Sequence, residues 1–187
     1  MIKITTPFTA DAAKALRAGD EVLINGTILT GRDAAHRRLY ELHLKGEPLP
    51  IDLYDRIIYF VGPTPTPPGH AIGSAGPTTS GRMDLYSPTM LEAYGLRGMI
   101  GKGKRNDVVK SAICEFSGVY FSAIGGLAAL LSERVTKSKI ILYEDLGPEA
   151  IYELEVKDFP ALVINDCFGG DAYDENRAKW QNKFQAI

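Results

Sequence analysis

A loop rich in glycine, hydroxyl side chains and charge lies near the middle of the sequence. This segment, Gly76–Asp84, reads GPTTSGRMD and has neither helical nor strand periodicity, which indicates a shaped loop. Glycine lets a ligand approach the main chain closely. Hydroxyls, free N–H groups and a guanidinium together suit a small carboxylate or phosphate. The alternative is a surface turn with a solvated arginine.

Two other segments place a cation where an anion could bind. Thr30–His36 puts Arg32 at the apparent start of a helix, where free N–H groups and the positive helix end attract an anion. Gly101–Gly103 holds a lysine between two glycines, where a strand is predicted to end. The alternatives are an arginine paired with Asp33 or another carboxylate, and a flexible basic turn.

A nucleotide site around Lys102 matches the sequence poorly. A P-loop needs glycine five residues before Gly101, where Leu96 stands, and Ser or Thr after the lysine, where Gly103 stands. A nucleic-acid partner is excluded as well, because the net charge is -2 and the short basic clusters create no broad positive field.

Histidine and cysteine are sparse. His36 and His43 lie on one predicted helix and His70 in a proline-rich loop, so a metal site would need a further ligand. Cys114 and Cys167 lie far apart and belong to no paired motif, which predicts buried free thiols that pack as small core side chains. Two distant cysteines also cannot hold an iron-sulfur cluster of the usual kind.

Composition indicates one ordinary globular domain covering residues 1–187. Apolar residues make up 45% of the chain and charged residues 24%, which argues against disorder. The sequence predicts neither a signal peptide nor a membrane-spanning segment, so a cytoplasmic location is the expectation.

The site segments lie among alternating strands and helices, which predicts an α/β fold. Strands are predicted at 2–4, 21–29, 57–61, 96–100, 119–124, 139–143 and 161–165. Helices are predicted at 11–18, 30–45, 87–95, 106–116, from 125 onward and at 174–185. Periodicity alone does not separate a doubly wound sheet from other layered arrangements. The proline-rich segment 62–69 is interpreted as a stiff connection within the domain, with an interdomain linker as the alternative.

Local signals refine these elements. Gly26 predicts a bulge or a close backbone approach in its strand. Thr30 followed by Asp33 predicts a helix cap, Ser87 before Pro88 predicts another, and Gly95 predicts a helix end.

Together the three site segments resemble the C-terminal, or beta, part of class I, iron-sulfur-dependent fumarases and the related tartrate dehydratases. The resemblance runs from Ile4 to about Asp171. The matching motifs are Arg32–His36, Gly76–Asp84 and Lys102-Gly103, supported by Ser122–Gly126 and Leu162–Asp166.

The resemblance implies a fold and a set of site residues. The fold is the three-layer β/β/α swivelling domain, like the mobile domain of aconitase-type enzymes. Substrate-carboxylate contacts are assigned to Arg32, Arg82 and Lys102, with Thr78 and Thr79 lining the same site. Thr78 matches the position of the catalytic base, although a hydroxyl is a weak base and needs an activating neighbour.

Two further residues receive supporting roles. His36 is expected to orient the Arg32 region by hydrogen bonding. Asp84 is expected to fix its loop through backbone N–H groups or by pairing with an arginine.

The resemblance also implies a partner. In this family a [4Fe-4S] cluster is held by three cysteines on an N-terminal domain or a separate alpha subunit. The chain is therefore expected to be the beta subunit of a hetero-oligomeric hydro-lyase that binds a small dicarboxylate and hydrates fumarate reversibly to (S)-malate, with no cofactor of its own. The alternatives are the beta subunit of L(+)-tartrate dehydratase and a non-catalytic carboxylate-binding module.

Overall fold

The structure is a computed structural model that describes residues 1–123, 126 and 128–185. The strands are β1 Ile2–Thr5, β2 Glu21–Thr30, β3 Ile57–Tyr59, β4 Gly98–Gly101, β5 Val119–Ser122, β6 Val135–Leu142 and β7 Ile151–Asn165. The helices are α1 Ala10–Lys14, α2 Asp33–Leu44, α3 Ser87–Tyr94, α4 Asp107–Glu115, α5 Ala128–Ser132 and α6 Ala172–Gln185. Two 3₁₀ segments, Ser80–Met83 and Glu144–Glu149, precede α3 and β7.

The strands form a mixed sheet that closes on itself. Strands β2, β3, β4 and β5 are parallel neighbours in that order. Strand β7 runs antiparallel to β5 on one side and to β2 on the other, which completes the ring. Strand β1 pairs with the first half of β2, and β6 pairs with the first half of β7. The α/β prediction is confirmed, and the ring differs from an open doubly wound sheet.

Alternation along the strands divides the core into two clusters. On β3, Ile57 and Tyr59 point to one cluster, and Ile58 to the other. The first cluster joins strands from around the ring, with members such as Ile28, Ile100, Phe121, Leu154 and Val163. The second lies between the sheet and helices α2, α3 and α4, with members such as Leu39, Leu91 and Ile113. The sheet is therefore covered on both faces, as its apolar runs require.

Two glycine predictions are confirmed. Gly26 has a φ of +101° at a register shift between β2 and β7, and a Cβ there would lie 2.4 Å from Thr6 Oγ1. Gly95 ends α3 in the left-handed conformation, with φ 64°.

Both cap predictions are wrong. Thr30 is the last residue of β2, where its buried hydroxyl accepts from Tyr152 N and donates to Ala150 O. The N-cap of α2 is Arg32, which makes no side-chain capping bond. Ser87 lies inside α3, and its hydroxyl donates to Met83 O. Other hydrogen bonds occupy both hydroxyls, because Thr30 bonds the start of β7 and Ser87 also accepts from Arg105 Nη2.

The last predicted strand, 161–165, is too short, because β7 begins at Ile151. Among the described residues, no helix combines the length and apolar character needed to cross a membrane.

Candidate functional site

Three neighbouring parallel strands end at one edge of the sheet, and a predicted site segment follows or crosses each end. Arg32 lies just after β2, Phe60 just after β3, and Lys102 just after β4. The strand order places β3 between the other two. Ligands of α/β proteins bind outside the carboxyl ends of parallel strands, so this edge is the candidate site.

Backbone hydrogen bonds hold the 76–84 loop against this edge. Thr78 N donates to Phe60 O at 2.8 Å, and Ser80 N donates to Lys102 O at 2.9 Å. Between these two bonds, Thr79 and Lys102 form a parallel bridge. The loop therefore adds a short strip to the ends of β3 and β4, and it brings both threonines close to the lysine backbone.

The site groups of this strip face solvent to different degrees. Thr78 is half-buried, and Thr79 and Lys102 are exposed. Arg82, on the 3₁₀ turn that follows, has a side chain that is 58% exposed. The cations on this side are therefore available to a ligand or to a partner chain.

Arg32 is held more firmly than Arg82. Its side chain is 24% exposed, and Nη2 lies 3.2 Å from Glu149 Oε1. The Arg32 side chain also packs against the backbone of Gly62. A Cβ at Gly62 would lie 3.0 Å from Arg32 Nη1 and from Pro148 O. A side chain at position 62 would therefore require Arg32 or this backbone to shift by a few tenths of an ångström.

Asp33 connects the two arginines. Its Oδ2 lies 3.9 Å from Arg32 Nη2 and 3.5 Å from Arg82 Nη1. Both distances are long for hydrogen bonds, so Asp33 balances charge without saturating either guanidinium. The structure thus brings Arg32 and Arg82 to one carboxylate, which is the kind of group that a dicarboxylate substrate would present.

A buried ion pair anchors the far end of the loop. Arg105 Nε donates to Asp84 Oδ1 at 2.7 Å, and the side chain of Arg105 is fully buried. Arg105 Nη2 donates to Ser87 Oγ at 2.6 Å, and Asn106 N donates to Asp84 Oδ2 at 2.9 Å. Asp84 therefore pairs with an arginine and also accepts a backbone N–H, which matches both predicted contacts.

Tyr120 joins the 76–84 loop to the segment after β4 through its hydroxyl group. Its hydroxyl donates to Gly103 O at 2.8 Å, so Ser80 Oγ must donate to the tyrosine oxygen at 2.9 Å. Burial raises the pKa of Tyr120, which keeps the phenol protonated. A Cβ on Gly101 would lie 1.9 Å from Ser80 Oγ, so the approach of the loop to β4 requires glycine there.

His36 supports Arg32 from the interior. Its Nδ1 lies 2.9 Å from Arg32 O, and because a carbonyl only accepts, Nδ1 carries the proton. Burial lowers the pKa of His36 to about 4, with a further lowering from the charge of Arg105. The ring packs against Phe60 and Tyr86. The expected hydrogen bond is present, and its orienting role stays a prediction.

The predicted site residues form an open surface at this edge of the sheet, which we call the ledge; it consists of Arg32, Thr78, Thr79, Arg82 and Lys102. Surface cavities of about 590 and 420 Å³ lie elsewhere, the first beside Arg38 and Tyr143 and the second beside Tyr54 and Arg97. Binding sites bury most of the surface of a small ligand, whereas Thr79, Arg82 and Lys102 are exposed.

The described residues do not fit an iron-sulfur cluster. No group of three or more His, Cys, Asp or Glu that could hold a metal ion occurs among residues 1–123, 126 and 128–185. Cys114 is exposed and Cys167 half-buried, so the prediction of buried core thiols is wrong. Both lie near the loop that Asp166 anchors, away from the core clusters.

Some residues of a predicted motif and a predicted helix lie outside the described part of the chain. In the supporting motif Ser122–Gly126, residues Ile124 and Gly125 are outside the described residues, as is Leu127 in the helix predicted from 125 onward.

Sequence reasoning missed two residues that shape the site. Glu149 lies in an irregular segment without periodicity, and no sequence signal connects it to Arg32. Arg105 lies in the short basic segment that follows Lys102, which favours a solvated side chain. Its one signal is its place just before the cap residue Asn106, at the start of an amphipathic helix.

Comparison with known proteins identifies relatives over most of the chain. The family model described as Fumarase C-terminus matches residues 1–176. The aerobic class I fumarate hydratase of Escherichia coli K12 is 44% identical over 153 residues, which are 81% of this chain and 28% of that protein. Fumarate hydratase 2 of Leishmania major is 40% identical over 161 residues, or 86% of this chain and 28% of that protein.

A relative of similar length carries a different name. A Methanocaldococcus jannaschii protein named as a putative L(+)-tartrate dehydratase subunit beta is 35% identical over 184 residues, which are 96% of this chain and 94% of that protein. By contrast, the chain spans 28% of the length of the two fumarate hydratases above. The family model and these identities together show that the chain belongs to the Fumarase C-terminus family.

Proposed function

We propose that the chain supplies the substrate-carboxylate half of a hydro-lyase that hydrates fumarate reversibly to (S)-malate. The observation that carries the proposal is the convergence of Arg32 and Arg82 on Asp33, beside a strip that holds Thr78, Thr79 and Lys102. The names of the fumarate hydratase relatives support the reaction class.

The chemistry follows from what the reaction must handle. A diacid brings two negative charges, and dehydration of malate removes a weakly acidic C–H proton while hydroxide departs. In this proposal Arg32, Arg82 and Lys102 bind a substrate carboxylate and Thr79 lines the site. Charge-assisted hydrogen bonds are worth about 1.5 to 3 kcal/mol each, so two or three can position a four-carbon diacid.

Thr78 is the proposed base of this chain. Its backbone is fixed by the bond to Phe60, which sets where its hydroxyl meets the substrate. A hydroxyl abstracts such a proton only with an activating neighbour, and the proposal assigns that neighbour to a partner chain.

The partner in this proposal is an alpha subunit that carries a [4Fe-4S] cluster. The described residues of this chain offer no group of ligands that could hold such a cluster. The proposal takes residues 1–187 as one swivelling β/β/α domain whose exposed ledge the alpha chain closes to complete the reaction chamber. A cytoplasmic location stays a prediction.

The experiment is reconstitution. The chain and its alpha partner, assembled without oxygen, are assayed against fumarate, (S)-malate and both tartrate enantiomers. We expect a chain that is colourless and inactive alone and malate dehydration by the pair. A pair loaded with cluster that leaves malate untouched contradicts the proposal.

Tartrate dehydration is the second candidate, and the relative from Methanocaldococcus jannaschii favours it because this chain covers 94% of its length. Turnover of L(+)-tartrate in preference to malate would select it. A third possibility, a carboxylate-binding module, predicts tight dicarboxylate binding by the chain alone.

A further inference from the structure

We propose that Glu149 is a positioning residue that holds Arg32 in the orientation in which it binds a substrate carboxylate. The inference rests on the proposed function and adds a residue that neither motif reasoning nor the family comparison assigns. The Glu149 carboxylate makes two contacts, one from each oxygen.

The carboxylate of Glu149 joins Arg32 to the start of α2. Oε1 lies 3.2 Å from Arg32 Nη2, and Oε2 accepts from Ala34 N at 3.1 Å. Ala34 is in the first turn of α2, where backbone N–H groups have no partner within the helix. One carboxylate thus satisfies an otherwise free helix donor and orients the guanidinium beside it.

The backbone that carries Glu149 is itself fixed. Ala150 O accepts from the buried Thr30 hydroxyl at 3.3 Å, and Thr30 Oγ1 in turn accepts from Tyr152 N at 2.9 Å. Ala150 N donates to Gly147 O at 3.0 Å. Strand β2 and the segment before β7 therefore place the carboxylate rigidly, as a positioning residue requires.

Arg32 keeps donors for a ligand while Glu149 holds it. The close contact involves one terminal nitrogen only. Within the described part of the chain, Arg32 Nε is buried and has no hydrogen-bond partner. The guanidinium has five N–H donors, and because Nε–H is buried, the donors left for an incoming carboxylate lie on the terminal nitrogens. Without Glu149 the long side chain would regain rotamer freedom that binding must then remove.

Asp33 fits this role less well. Its Oδ2 lies 3.9 Å from Arg32 Nη2, compared with 3.2 Å for Glu149. Its other oxygen is buried and has no partner among the described residues. Asp33 balances the charge of two arginines, whereas Glu149 fixes one of them.

The chain offers a closely matched control. Asp145 lies on the same 3₁₀ segment as Glu149 and also pairs with an arginine of α2, accepting from Arg38 Nη1 at 2.9 Å and from Nη2 at 2.6 Å. Both carboxylates join the same two elements, but Arg38 has no place in the proposed site. General loosening of α2 against this segment would therefore appear in both variants.

The kinetic test uses Glu149→Gln and Asp145→Asn in the reconstituted pair, with malate as substrate. Glutamine keeps an acceptor for Ala34 N and loses the charge. We expect Glu149→Gln to raise KM about tenfold with kcat within about twofold, since it removes a binding geometry and no reacting group. Asp145→Asn should change neither value. In an Arg32→Ala background, Glu149→Gln should have no further effect on KM.

The inference is overturned if Glu149→Gln leaves KM within twofold of the unmodified pair. An equal rise of KM in Asp145→Asn, or an undiminished rise of KM in the Arg32→Ala background, overturns it too.

Absence of turnover by the unmodified pair contradicts the proposed function. The position of Arg32 is then read on the chain alone, by the side-chain Nε resonances of ¹⁵N-arginine-labelled protein. Glu149→Gln should shift or broaden the Arg32 signal and Asp145→Asn should not, and an unchanged Arg32 signal overturns the inference whatever the activity.

Discussion

Two arginines of neighbouring loops have opposite environments. Arg105 is fully buried, paired with Asp84 at 2.7 Å, and lies over the rings of Phe60 and Tyr120 at 5.2 and 5.1 Å. Arg82 is 58% exposed, and its ion pair with Asp33 spans 3.5 Å. Arginine therefore serves as part of the scaffold in one place and as a mostly solvated, loosely paired cation in the other.

The difference indicates how the ledge is built. Burial lowers the pKa of Arg105, and the carboxylate of Asp84 counteracts this effect. Taking a charge out of water is costly, so each member of the pair depends on the other, and together they join the 76–84 loop to the segment that precedes α4. Arg82 projects from that arrangement into solvent, and the proposed function assigns its donors to a substrate carboxylate. The comparison predicts that stability depends on Arg105 and binding on Arg82.

The largest effect should come from Arg105→Met. The change leaves Asp84, whose side chain is 11% exposed, without its countercharge. Removing one partner of a buried pair costs about 3 to 5 kcal/mol, so the free energy of unfolding measured in urea should fall by that amount.

Lys104→Met is the control for Arg105→Met, because Lys104 pairs with Asp174 at the surface, where both side chains are about half exposed. Its effect should stay within about 0.5 kcal/mol. A similar loss of unfolding free energy in both variants would contradict the assignment of Arg105 to the scaffold.

Arg82→Ala should show the opposite profile. Loss of one charge-assisted contact to substrate is worth about 1.5 to 3 kcal/mol, so kcat/KM of the reconstituted pair should fall about 10- to 150-fold. The free energy of unfolding should change by no more than about 0.5 kcal/mol, because the side chain is mostly solvated. Arg37→Ala, an exposed change on α2, is the control and should leave kcat/KM unaltered. Normal kcat/KM in Arg82→Ala would contradict the assignment of Arg82.

The positions of the site segments could be predicted in part from the sequence. Arg32 and Lys102 follow runs that the apolar pattern identifies as strands, and carboxyl ends of parallel strands share an edge. The resemblance added Arg82 and the two threonines. What local patterns lack is the pairing of β7 with β2, since it joins residues far apart in sequence.

Side-chain partners were harder to predict than elements. Thr30 has the residue type of a cap, but the start of β7 lies close enough to bond its hydroxyl. Glu149 contacts Arg32 only because the ring of strands closes there. Such contacts depend on tertiary distance, which neither propensity nor periodicity contains.

The buried His36, which donates to Arg32 O, should make the stability of the fold depend on pH. Its pKa is lowered from 6.5 to about 4 in the folded chain, so the unfolded state binds a proton first as the pH falls. The stabilisation is complete above pH 6.5 and is lost progressively as the pH falls toward 4. Between pH 7.5 and 5.0 this residue should remove about 2 kcal/mol from the free energy of unfolding.

His36→Asn keeps a donor for Arg32 O and does not titrate. Urea unfolding at both pH values should therefore show a pH dependence smaller by about 2 kcal/mol in the variant. Equal pH dependence in the two proteins would mean that His36 is not held neutral by burial.

The smallest effect, from Tyr120→Phe, separates the hydroxyl of the scaffold from its packing. The change keeps the ring over which Arg105 lies and removes the bonds to Ser80 and Gly103. Exposed Gly103 O can turn to water, whereas the buried Ser80 hydroxyl loses its acceptor. An unpaired buried donor costs about 1 to 3 kcal/mol, so urea unfolding should show a loss near the lower end, about 1 kcal/mol, if Ser80 turns to another acceptor. Tyr173→Phe, which removes a 3.4 Å contact to Ser122, should cost less. Because Ser80 and Gly103 flank Lys102 in space, the same variant should lower kcat/KM a few-fold at most, well short of Arg82→Ala. A larger catalytic loss than that of Arg82→Ala would place the hydroxyl among the groups that touch substrate and would end the division between scaffold and ledge.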